Sequence, residues 1–305
     1  IIGDGWSLDV LAGELSSLYK SYAFNEHNPL ETLPLQYKDY TAWHNELLES
    51  EGIRADREYW HSKLSGEIPV LDIPTDYTRP PVQTYQGSIH LFQISEALTE
   101  GLNALNSRYG VSLFMSLMAL VKVLFYRYTG QEDIIIGAPI AGRQHRELDG
   151  QVGFYVNTLV LRDVISGEDC FVEVLDKIKR TATEAYDHQI YPFDRLVEEL
   201  DLRRDLSRSP LFDVLLVLQN KQETQFELPG VTISPFEYST TISKFDLTWY
   251  FTETENVIQV GIEYNTALFK DARIERMSAH FLKLLKGIVS DANRKVEQHN
   301  SLSEH

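Results

Sequence analysis

Apolar residues recur at helical spacing along much of the chain. In the first segment Leu8, Leu11, Leu15 and Leu18 lie three or four positions apart, which predicts an amphipathic helix. Ser7 precedes this run and is predicted to cap the helix, because a serine side chain can accept a hydrogen bond from the unpaired N–H groups of a first turn. Similar spacing predicts helices at 35–48, 59–64, 95–109, 112–128, 171–186, 193–200 and 271–289.

Short runs rich in β-branched and aromatic residues predict strands between these helices. The predicted strands are 88–94, 133–137, 159–162, 212–218, 231–236, 245–251 and 257–264. Prolines at 74, 80 and 81 make 73–86 an extended connector. Because helices and strands are interspersed without strict βαβ alternation, the sequence predicts a mixed α/β sheet rather than a doubly wound parallel one.

Composition and charge narrow the possible partners. The 305 residues are 43% hydrophobic, enough for a sizeable core, and carry a formal net charge of −17. This balance repels phosphate backbones and anionic lipids, so we expect neither nucleic acid nor a membrane surface as a partner. No apolar run reaches the roughly 18 residues that a membrane span needs, and no signal-peptide pattern is present.

The chain has one cysteine, Cys170, so an internal disulfide is impossible. Its neighbours indicate a helix start, where a small half-buried residue is a simpler interpretation than a catalytic thiol. A lone thiol fits a reducing compartment, and we expect a cytoplasmic protein.

Five segments together carry a family resemblance. They are IIGDGWS from Ile1, LQYKDYTAW from Leu35, GAPIAGRQHRELDGQVGFYVNTLVLR from Gly137, HQIYPFDRLVEEL from His188 and RDLSRSPLFDVLLVLQN from Arg204. In order and spacing these segments resemble the condensation domains of nonribosomal peptide synthetases, and the resemblance covers essentially the whole chain. The first segment is similar to the tail of that family's HHxxxDG active-site motif.

The resemblance implies a fold and its division. The implied fold is a V of two chloramphenicol-acetyltransferase-like lobes with a tunnel between them. Residues 1–55 would end an incomplete first, donor-side lobe, residues 56–290 would form the second lobe, and 291–305 would be a linker. Within the second lobe, about 137–158 would form a floor loop, and about 219–240 would form a latch that crosses to the first lobe.

The resemblance also implies amide formation between an acyl thioester on one carrier protein and an amine on another. The family's catalytic histidine is the second of its motif, and it would immediately precede Ile1. Asp4 and Gly5 keep the rest of that motif, and the resemblance implies that Asp4 pairs with an arginine and orders the loop. About a hundred further first-lobe residues are expected upstream. We therefore expect the 305-residue chain alone to be inactive.

Further residues receive roles from the resemblance and from their neighbours. Trp6, Asn157 and Ser243 are candidates for binding substrate. For Asn157 the alternative is an amide that fixes the start of a strand by bonding to backbone, and for Ser243 it is an ordinary surface-loop serine. Arg143 is predicted to orient the floor loop by ion pairing. A salt-linked structural turn is predicted from Arg204, Asp205 and Arg208.

His145 begins a second HxxxDG pattern, HRELDG. Gln144 stands where the first histidine of the motif would be, and the charged neighbours indicate an exposed loop. His145 is therefore predicted to lie outside the chemistry. The other histidines form no cluster with cysteine or carboxylate at metal-ligand spacing, so no metal is expected.

Two alternatives to amide formation stay open. One is a catalytically silent platform on the same fold that recruits partner enzymes; the other is a heterocyclisation variant, whose DxxS tail Asp4 and Ser7 formally satisfy. The floor motif VGFYVNTL disfavours an epimerisation relative. No cofactor is expected to bind directly, since the substrates would be carried on the 4'-phosphopantetheine of donor and acceptor carrier proteins. The resemblance of 297–305 to a linker implies an adjacent adenylation domain.

Overall fold

The computed structural model describes residues 2–200, 202, 205–219, 228–234 and 241–299. Its centre is a six-stranded mixed sheet in the order β1-β6-β5-β4-β2-β3. The strands are β1 Gly87–Ile94, β2 Asp133–Ile140, β3 Asn157–Val164, β4 Val214–Gln219, β5 Leu247–Glu253 and β6 Ile258–Asn265. β4 runs parallel to both β2 and β5, and the other pairs are antiparallel. The mixed α/β class predicted from the sequence is confirmed.

Eight α-helices accompany the sheet in the described ranges. They are α1 Gly5–Ala23, α2 Tyr37–Glu49, α3 Arg54–Lys63, α4 Glu96–Tyr109, α5 Leu113–Thr129, α6 Phe171–Asp187, α7 Phe193–Glu199 and α8 Asp271–Ser290. The residues from Ser116 to Phe125 of α5 are all buried, which explains the apolar character of that helix on every side. Trp249 and Phe251 of β5 point towards α8, where they contact Phe281.

Two local predictions were wrong. The residue that caps α1 is Asp4 rather than Ser7, which lies inside the first turn. The described part of the strand predicted at 231–236 is not a strand, because Val231 N–H bonds back to Leu228 in a turn that contains Gly230 at a φ of +78°. The side chains of Val231 and Ile233 are about half exposed there. Residues 235 and 236 lie outside the described ranges.

The segment after α8 packs on the domain. Lys295 pairs with Cys170 in an isolated bridge, and the Val296 side chain is completely buried. Of the linker predicted at 291–305, the described part 291–299 therefore contacts the body of the fold. Cys170 itself caps α6 in a capping box with Glu173 and is half-buried, as predicted.

Across the described ranges, no single helix has the length and apolar character of a membrane span. Only α4 and α5 taken together pass such a test, and the two are bent by 108° relative to each other.

Candidate active site

The site begins at the N-terminus of α1, where Asp4 has an extended backbone and caps the helix. Its Oδ1 accepts a hydrogen bond from the N–H of Ser7 at 2.9 Å, and its Oδ2 accepts one from the N–H of Tyr155 at 3.0 Å. One carboxylate thus binds a helix of the N-terminal segment and a loop about 150 residues further along the chain. Burial raises the pKa of Asp4, but the bonds from Ser7 and Tyr155 and the charge of Arg143 outweigh it, so that the pKa is lowered overall.

Arg143 is the partner that Asp4 meets in the loop between β2 and β3, residues 141–156, which is called the floor loop below. Its Nη2 lies 3.4 Å from Asp4 Oδ1 and 3.2 Å from the Ser7 hydroxyl, and the two charged side chains are only 1% and 5% exposed. Its Nη1 donates to the carbonyls of Leu148 and Gln151. The planar guanidinium therefore holds the loop in shape with one nitrogen and holds α1 with the other. The ion pairing predicted for Arg143 is present.

Ser7 completes this junction. Its hydroxyl has two acceptors within reach, Asp4 Oδ1 at 2.7 Å and the Gly153 carbonyl at 2.8 Å, and it accepts a bond from the Gly153 N–H at 3.1 Å. Sequence reasoning treated Ser7 as a cap and did not identify this contact. Its place in the GDGWS segment was the only available signal.

Two glycines allow the backbone to approach closely at this point. Gly142 has a φ of +66°, and a Cβ there would lie 1.9 Å from the Tyr155 carbonyl oxygen. A Cβ on Gly153 would lie 2.3 Å from the Tyr37 ring. A larger residue at position 153 would push the floor loop away from α2, and one at position 142 would push apart the two ends of the loop, which meet there.

Trp6 and Gly5, both predicted from the motif, occupy the first turn of α1. The Trp6 indole donates to the Asp149 carbonyl at 2.9 Å, and its ring lies 5.8 Å from the Arg143 guanidinium carbon. This geometry links α1 to the floor loop, while the side chain stays 38% exposed. Gly5 is the first residue of the helix, and a Cβ there would meet nothing within 4 Å, so neighbouring atoms do not require glycine at this position.

An aromatic cluster fastens α2 to the same loop. The ring of Tyr155 lies 5.1 Å from that of Tyr37 and 4.7 Å from that of Tyr40, and the Arg143 guanidinium carbon lies 4.1 Å from the Tyr155 ring. The Tyr37 hydroxyl donates to the Phe154 carbonyl at 3.0 Å. Burial, together with the neighbouring tyrosines 155 and 37, raises the pKa of Tyr40 to about 12.

Asn157 stands where the floor loop enters β3. Its Nδ2 donates to the carbonyls of Gln189 and Tyr191 at 2.9 and 2.8 Å, and its Oδ1 accepts from the N–H groups of Thr158 and Phe193 at 2.8 and 3.0 Å. Both amide hydrogens and both acceptor positions are used by backbone. Direct binding of substrate by Asn157 has no support in this geometry, which matches the strand-pinning alternative instead.

Ser243 is fully buried, so the surface-loop alternative does not describe it. Its hydroxyl donates to the Phe245 carbonyl at 2.7 Å. The hydroxyls of Ser243 and Thr248 act to lower the pKa of Glu263 in β6, but burial raises it more, so this pKa is raised overall. Ser243 thus lies beside the start of β1, where its N–H donates to the Tyr85 carbonyl.

The predicted salt-linked turn extends into a larger buried network. Asp205 accepts bonds from the N–H and hydroxyl of Ser207 and lies 3.8 Å from Arg208, which also pairs with Asp213. Arg204 lies outside the described residues. Asp246, at the start of β5, pairs with Arg79 of the connector.

The two buried carboxylates of that network influence each other. Burial and the neighbouring Asp246 raise the pKa of Asp213 to about 6, even though Arg208 and Arg79 act to lower it. Both aspartates lie at the N-terminal ends of parallel strands and share backbone hydrogen bonds, since Asp246 N–H donates to the Asp213 carbonyl. This network joins the connector to the sheet.

His145 is exposed and lies 6.0 Å from the Trp43 ring at a steep angle. The exposed loop predicted for it is present. Within the ranges that the structure describes, no three His, Cys, Asp or Glu side chains are grouped so as to hold a metal ion. Of the latch predicted at 219–240, only Gln219 and 228–234 are described.

Comparison with known proteins places this geometry in a family. The family model for the condensation domain matches residues 1–305. Gramicidin S synthase 2 of Brevibacillus brevis is 42% identical over 304 residues, and bacitracin synthase 3 of Bacillus licheniformis is 43% identical over 304. Each alignment covers 100% of this chain, but the two cover only 7% and 5% of those synthases. The chain belongs to the condensation domain family of nonribosomal peptide synthetases.

Solved structures agree on the fold. The X-domain from teicoplanin biosynthesis superposes with a TM-score of 0.89 at 22% identity, covering 98% of this chain and 69% of that one. The first condensation domain of the CDA synthetase gives 0.75 at 18% identity over 99% of this chain and 65% of that one. A four-domain nonribosomal peptide synthetase bound to AMP and glycine gives 0.83 at 22% identity, over 99% of this chain and 24% of that one. The chloramphenicol-acetyltransferase-like fold is confirmed.

Proposed function

We propose that this chain is the larger part of a condensation domain that joins a carrier-bound acyl or peptidyl thioester to the amine of a carrier-bound aminoacyl group. In that reaction the amine nitrogen attacks the thioester carbonyl, a C–N bond forms, the C–S bond breaks, and the proton lost by the amine ends on the released thiol. The observation that carries the proposal is the Asp4–Arg143 pair, which ties the end of the active-site motif to the floor loop.

In this proposal Asp4 acts by position rather than by chemistry. The residue before Ile1 would be the catalytic histidine, four positions before Asp4, the cap of α1. Anchoring Asp4 through Ser7, Tyr155 and Arg143 would fix that histidine against the two substrates, which is the main requirement for bringing an amine to a thioester carbonyl. Because no His-His pair occurs among the 305 residues, we propose that they form no peptide bond by themselves.

Gly5 would belong to the same motif as a residue of the turn, and Trp6 would fix the floor loop beside the substrate path. Asn157 would support the floor from below, and the fully buried Ser243 would support the acceptor side through its bond to the Phe245 carbonyl. Asp205, Arg208 and the undescribed Arg204 would keep the turn before β4 in place. None of these residues needs to exchange a proton with the substrates.

The proposal divides the chain into residues 1–55, the end of the donor-side lobe, and 56–290, the acceptor-side lobe. The exposed apolar side chains of α1, among them Leu8, Leu11 and Leu15, would then pack against the remainder of the first lobe. Donor and acceptor carrier proteins would supply substrates on 4'-phosphopantetheine, and an adenylation domain would follow in the same cytoplasmic multidomain chain. Since this chain is acidic, carrier docking would use apolar contacts and local basic spots rather than net attraction.

The test compares the 305-residue chain with a version extended upstream to complete the first lobe. Both are incubated with loaded donor and acceptor carrier proteins, and the product is followed by mass spectrometry. We expect peptide from the extended protein, none from residues 1–305, and none from an extended variant whose second motif histidine is alanine. Peptide formation by residues 1–305 alone would contradict the proposed inactivity.

The same experiment decides between the alternatives. If residues other than His-His precede Ile1 and the extended protein forms no peptide, the silent platform is favoured. An Asp in place of the doublet, together with a thiazoline or oxazoline product, would favour heterocyclisation, for which Asp4 and Ser7 satisfy the DxxS tail.

A further inference from the structure

Three strands of the sheet, β1, β6 and β5, carry a groove on the face opposite α8. Helix α8 contacts the face that bears Trp249 and Phe251, and on the opposite face Phe212 covers Gly137 of β2 and contacts Phe193 of α7. On the opposite face, β1, β6 and β5 enclose a groove of about 720 Å³. The residues along it that matter are Ile89, Leu91, Gln93, Tyr250, Gln259 and Glu263.

Strand register arranges these side chains in three rows. Ile89, Glu263 and Thr248 are cross-strand neighbours in the first row, and Leu91, Gly261 and Tyr250 are neighbours in the second. Gln93, Gln259, Thr252 and Gln219 form the third. A Cβ on Gly261 would lie 3.0 Å from Ile89 and 3.3 Å from Leu91, so these two side chains lie over the glycine and line the path from the third row to the first. That path is about 13 Å long, at about 3.4 Å per residue.

One wall of the groove is aliphatic and open to solvent. Leu91 is 70% exposed and Ile89 39% exposed, which is unusual for neighbouring branched side chains on one sheet face. These residues could pack against an alkyl chain lying in the groove.

The Glu263 carboxylate lies at the end of the groove formed by the first row, which we call the inner end. It is half-buried, and no lysine, arginine or histidine nitrogen lies within 4.0 Å of it in the part of the chain that the structure describes. Burial raises the pKa of Glu263, and the hydroxyls of Ser243 and Thr248 and the charge of Lys244 offset that rise only in part. A half-buried carboxylate without a close cation is stabilised when a cationic group enters beside it.

The outer end of the groove is formed by the third row, which consists of amide and hydroxyl side chains. Gln93, Gln219 and Gln259 lie at the end of the sheet where β2 leaves at Ile140 and the floor loop begins, because β2, β4 and β5 run parallel. Such side chains both donate and accept, so they suit the peptide-like part of a ligand. The groove therefore offers polar contacts near the floor loop, apolar contacts along its length and a negative charge at its inner end.

We propose that this groove binds the side chain of an aminoacyl acceptor that ends in a primary ammonium group, with the Glu263 carboxylate accepting its hydrogen bonds. The inference rests on the proposed condensation function and adds a substrate class to it: acceptors of the ornithine or lysine type. Ile89 and Leu91 would cover the methylene groups, and the glutamines would bind near the acceptor backbone.

A binding test needs no catalysis. The isotope-labelled 305-residue protein is titrated with n-pentylamine and, separately, with uncharged 1-pentanol, while backbone amide resonances are followed by NMR. We expect pentylamine to shift resonances of β1, β5 and β6 and to bind about tenfold more tightly than pentanol, a difference of about 1.4 kcal/mol. Equal affinities, or shifts confined to other regions, would overturn the inference.

Variants make the test specific. Glu263→Gln should weaken pentylamine binding about tenfold and leave pentanol binding unchanged, whereas Glu255→Gln, which removes the same charge from an exposed turn, should bind both as the parent does. If Glu263→Gln does not fold, Leu91→Lys at an exposed position places a competing ammonium beside the groove and should weaken pentylamine binding instead. If Leu91→Lys folds and binds pentylamine as tightly as the parent does, the groove is not the binding site.

An activity assay of the extended protein distinguishes failure of this inference from failure of the proposed function. Peptide formation is compared for ornithyl and norvalyl acceptors, which differ by the ammonium group. We expect Glu263→Gln to lower the rate with ornithyl and to leave the rate with norvalyl unchanged. Norvalyl turnover with no preference for ornithyl would retain the condensation function and reject the inference, whereas no peptide from either acceptor would reject the function. If pentylamine shifts the groove resonances of residues 1–305 but not those of the extended protein, another part of the protein covers the groove and the inference fails.

Discussion

The Asp4 carboxylate lies 3.4 Å from the Arg143 guanidinium, and it is also the N-cap of α1. These two roles act together. The cap fixes the carboxylate relative to the helix, and the arginine fixes the floor loop relative to the carboxylate. The loop of residues 141–156 can therefore not shift against the start of α1 without breaking bonds at a site that is almost inaccessible to water, where unpaired charge is costly.

Replacing Asp4 separates its two roles. Asp4→Asn keeps a good capping side chain but removes the charge that faces Arg143, and we expect it to lower the free energy of unfolding by about 2–4 kcal/mol. Asp4→Ala removes the cap as well and should cost about 1 kcal/mol more. Urea unfolding of the two variants measures both values.

The matched control is Asp9→Asn, which makes the same change at an exposed position of α1. It should stay within about 0.5 kcal/mol of the parent. Equal losses from the changes at positions 4 and 9 would show that the Asp4–Arg143 pair does not stabilise the fold.

Arg143→Lys tests whether the shape of the guanidinium matters or only its charge. A lysine has one nitrogen and cannot reach Asp4 while also donating to the Leu148 and Gln151 carbonyls. We expect amide hydrogen exchange of residues 146–155 to become at least about tenfold faster, which corresponds to a loss of about 1.4 kcal/mol. Arg146→Lys in the same loop, at an exposed position, should leave exchange unchanged. If amide exchange is equally fast in Arg143→Lys and Arg146→Lys, the planar guanidinium of Arg143 does not order the loop.

The sequence predicted the secondary structure well but not the buried polar contacts. Apolar periodicity located α5 and β2 to within a few residues, because both elements are buried and the spacing of their apolar residues indicates this directly. Asp4 and Ser7 are both residue types that favour capping, and local preference does not choose between them. The contact with Tyr155 and Arg143 settles the choice, and it depends on residues about 140 positions away.

Ser243 shows the same limit. It follows a hydroxyl-rich run, which is compatible with a surface loop. Ser243 itself is buried, and Gly87 of β1 lets its backbone pass so closely that a Cβ on the glycine would lie 2.6 Å from the Ser243 nitrogen. Sequence position cannot reveal such an approach between distant segments. Asn157 was left with two interpretations for a similar reason, since its partners Gln189 and Tyr191 belong to another motif.

Asn157→Asp should be strongly destabilising although it preserves shape. A carboxylate would face the carbonyls of Gln189 and Tyr191, to which the amide now donates, and would leave both without a donor. We expect a loss of about 2–4 kcal/mol at pH 7, measured by urea unfolding, and partial recovery near pH 4, where the introduced acid becomes protonated. Asn103→Asp on the exposed side of α4 is the control and should change stability by less than about 0.5 kcal/mol. A neutral effect at position 157 would argue against its strand-pinning role.

Glu199 gives the fold a pH dependence at the acidic end. Its carboxylate is met by Arg57 at 2.9 Å, His61 at 2.8 Å and the Tyr191 hydroxyl at 2.7 Å, and these contacts outweigh burial and lower its pKa to about 2. The unfolded chain binds a proton near pH 4.5 and the folded chain does not, so the contribution is complete above that pH and is lost as the pH falls towards 2. We expect Glu199→Gln to cost about 1–3 kcal/mol at pH 7 and much less at pH 2.5, measured by urea unfolding across this range. Glu198→Gln, at the exposed neighbouring position, should unfold as the parent does at every pH. A stability difference between Glu199→Gln and the parent that stays constant from pH 7 to pH 2.5 would contradict the lowered pKa.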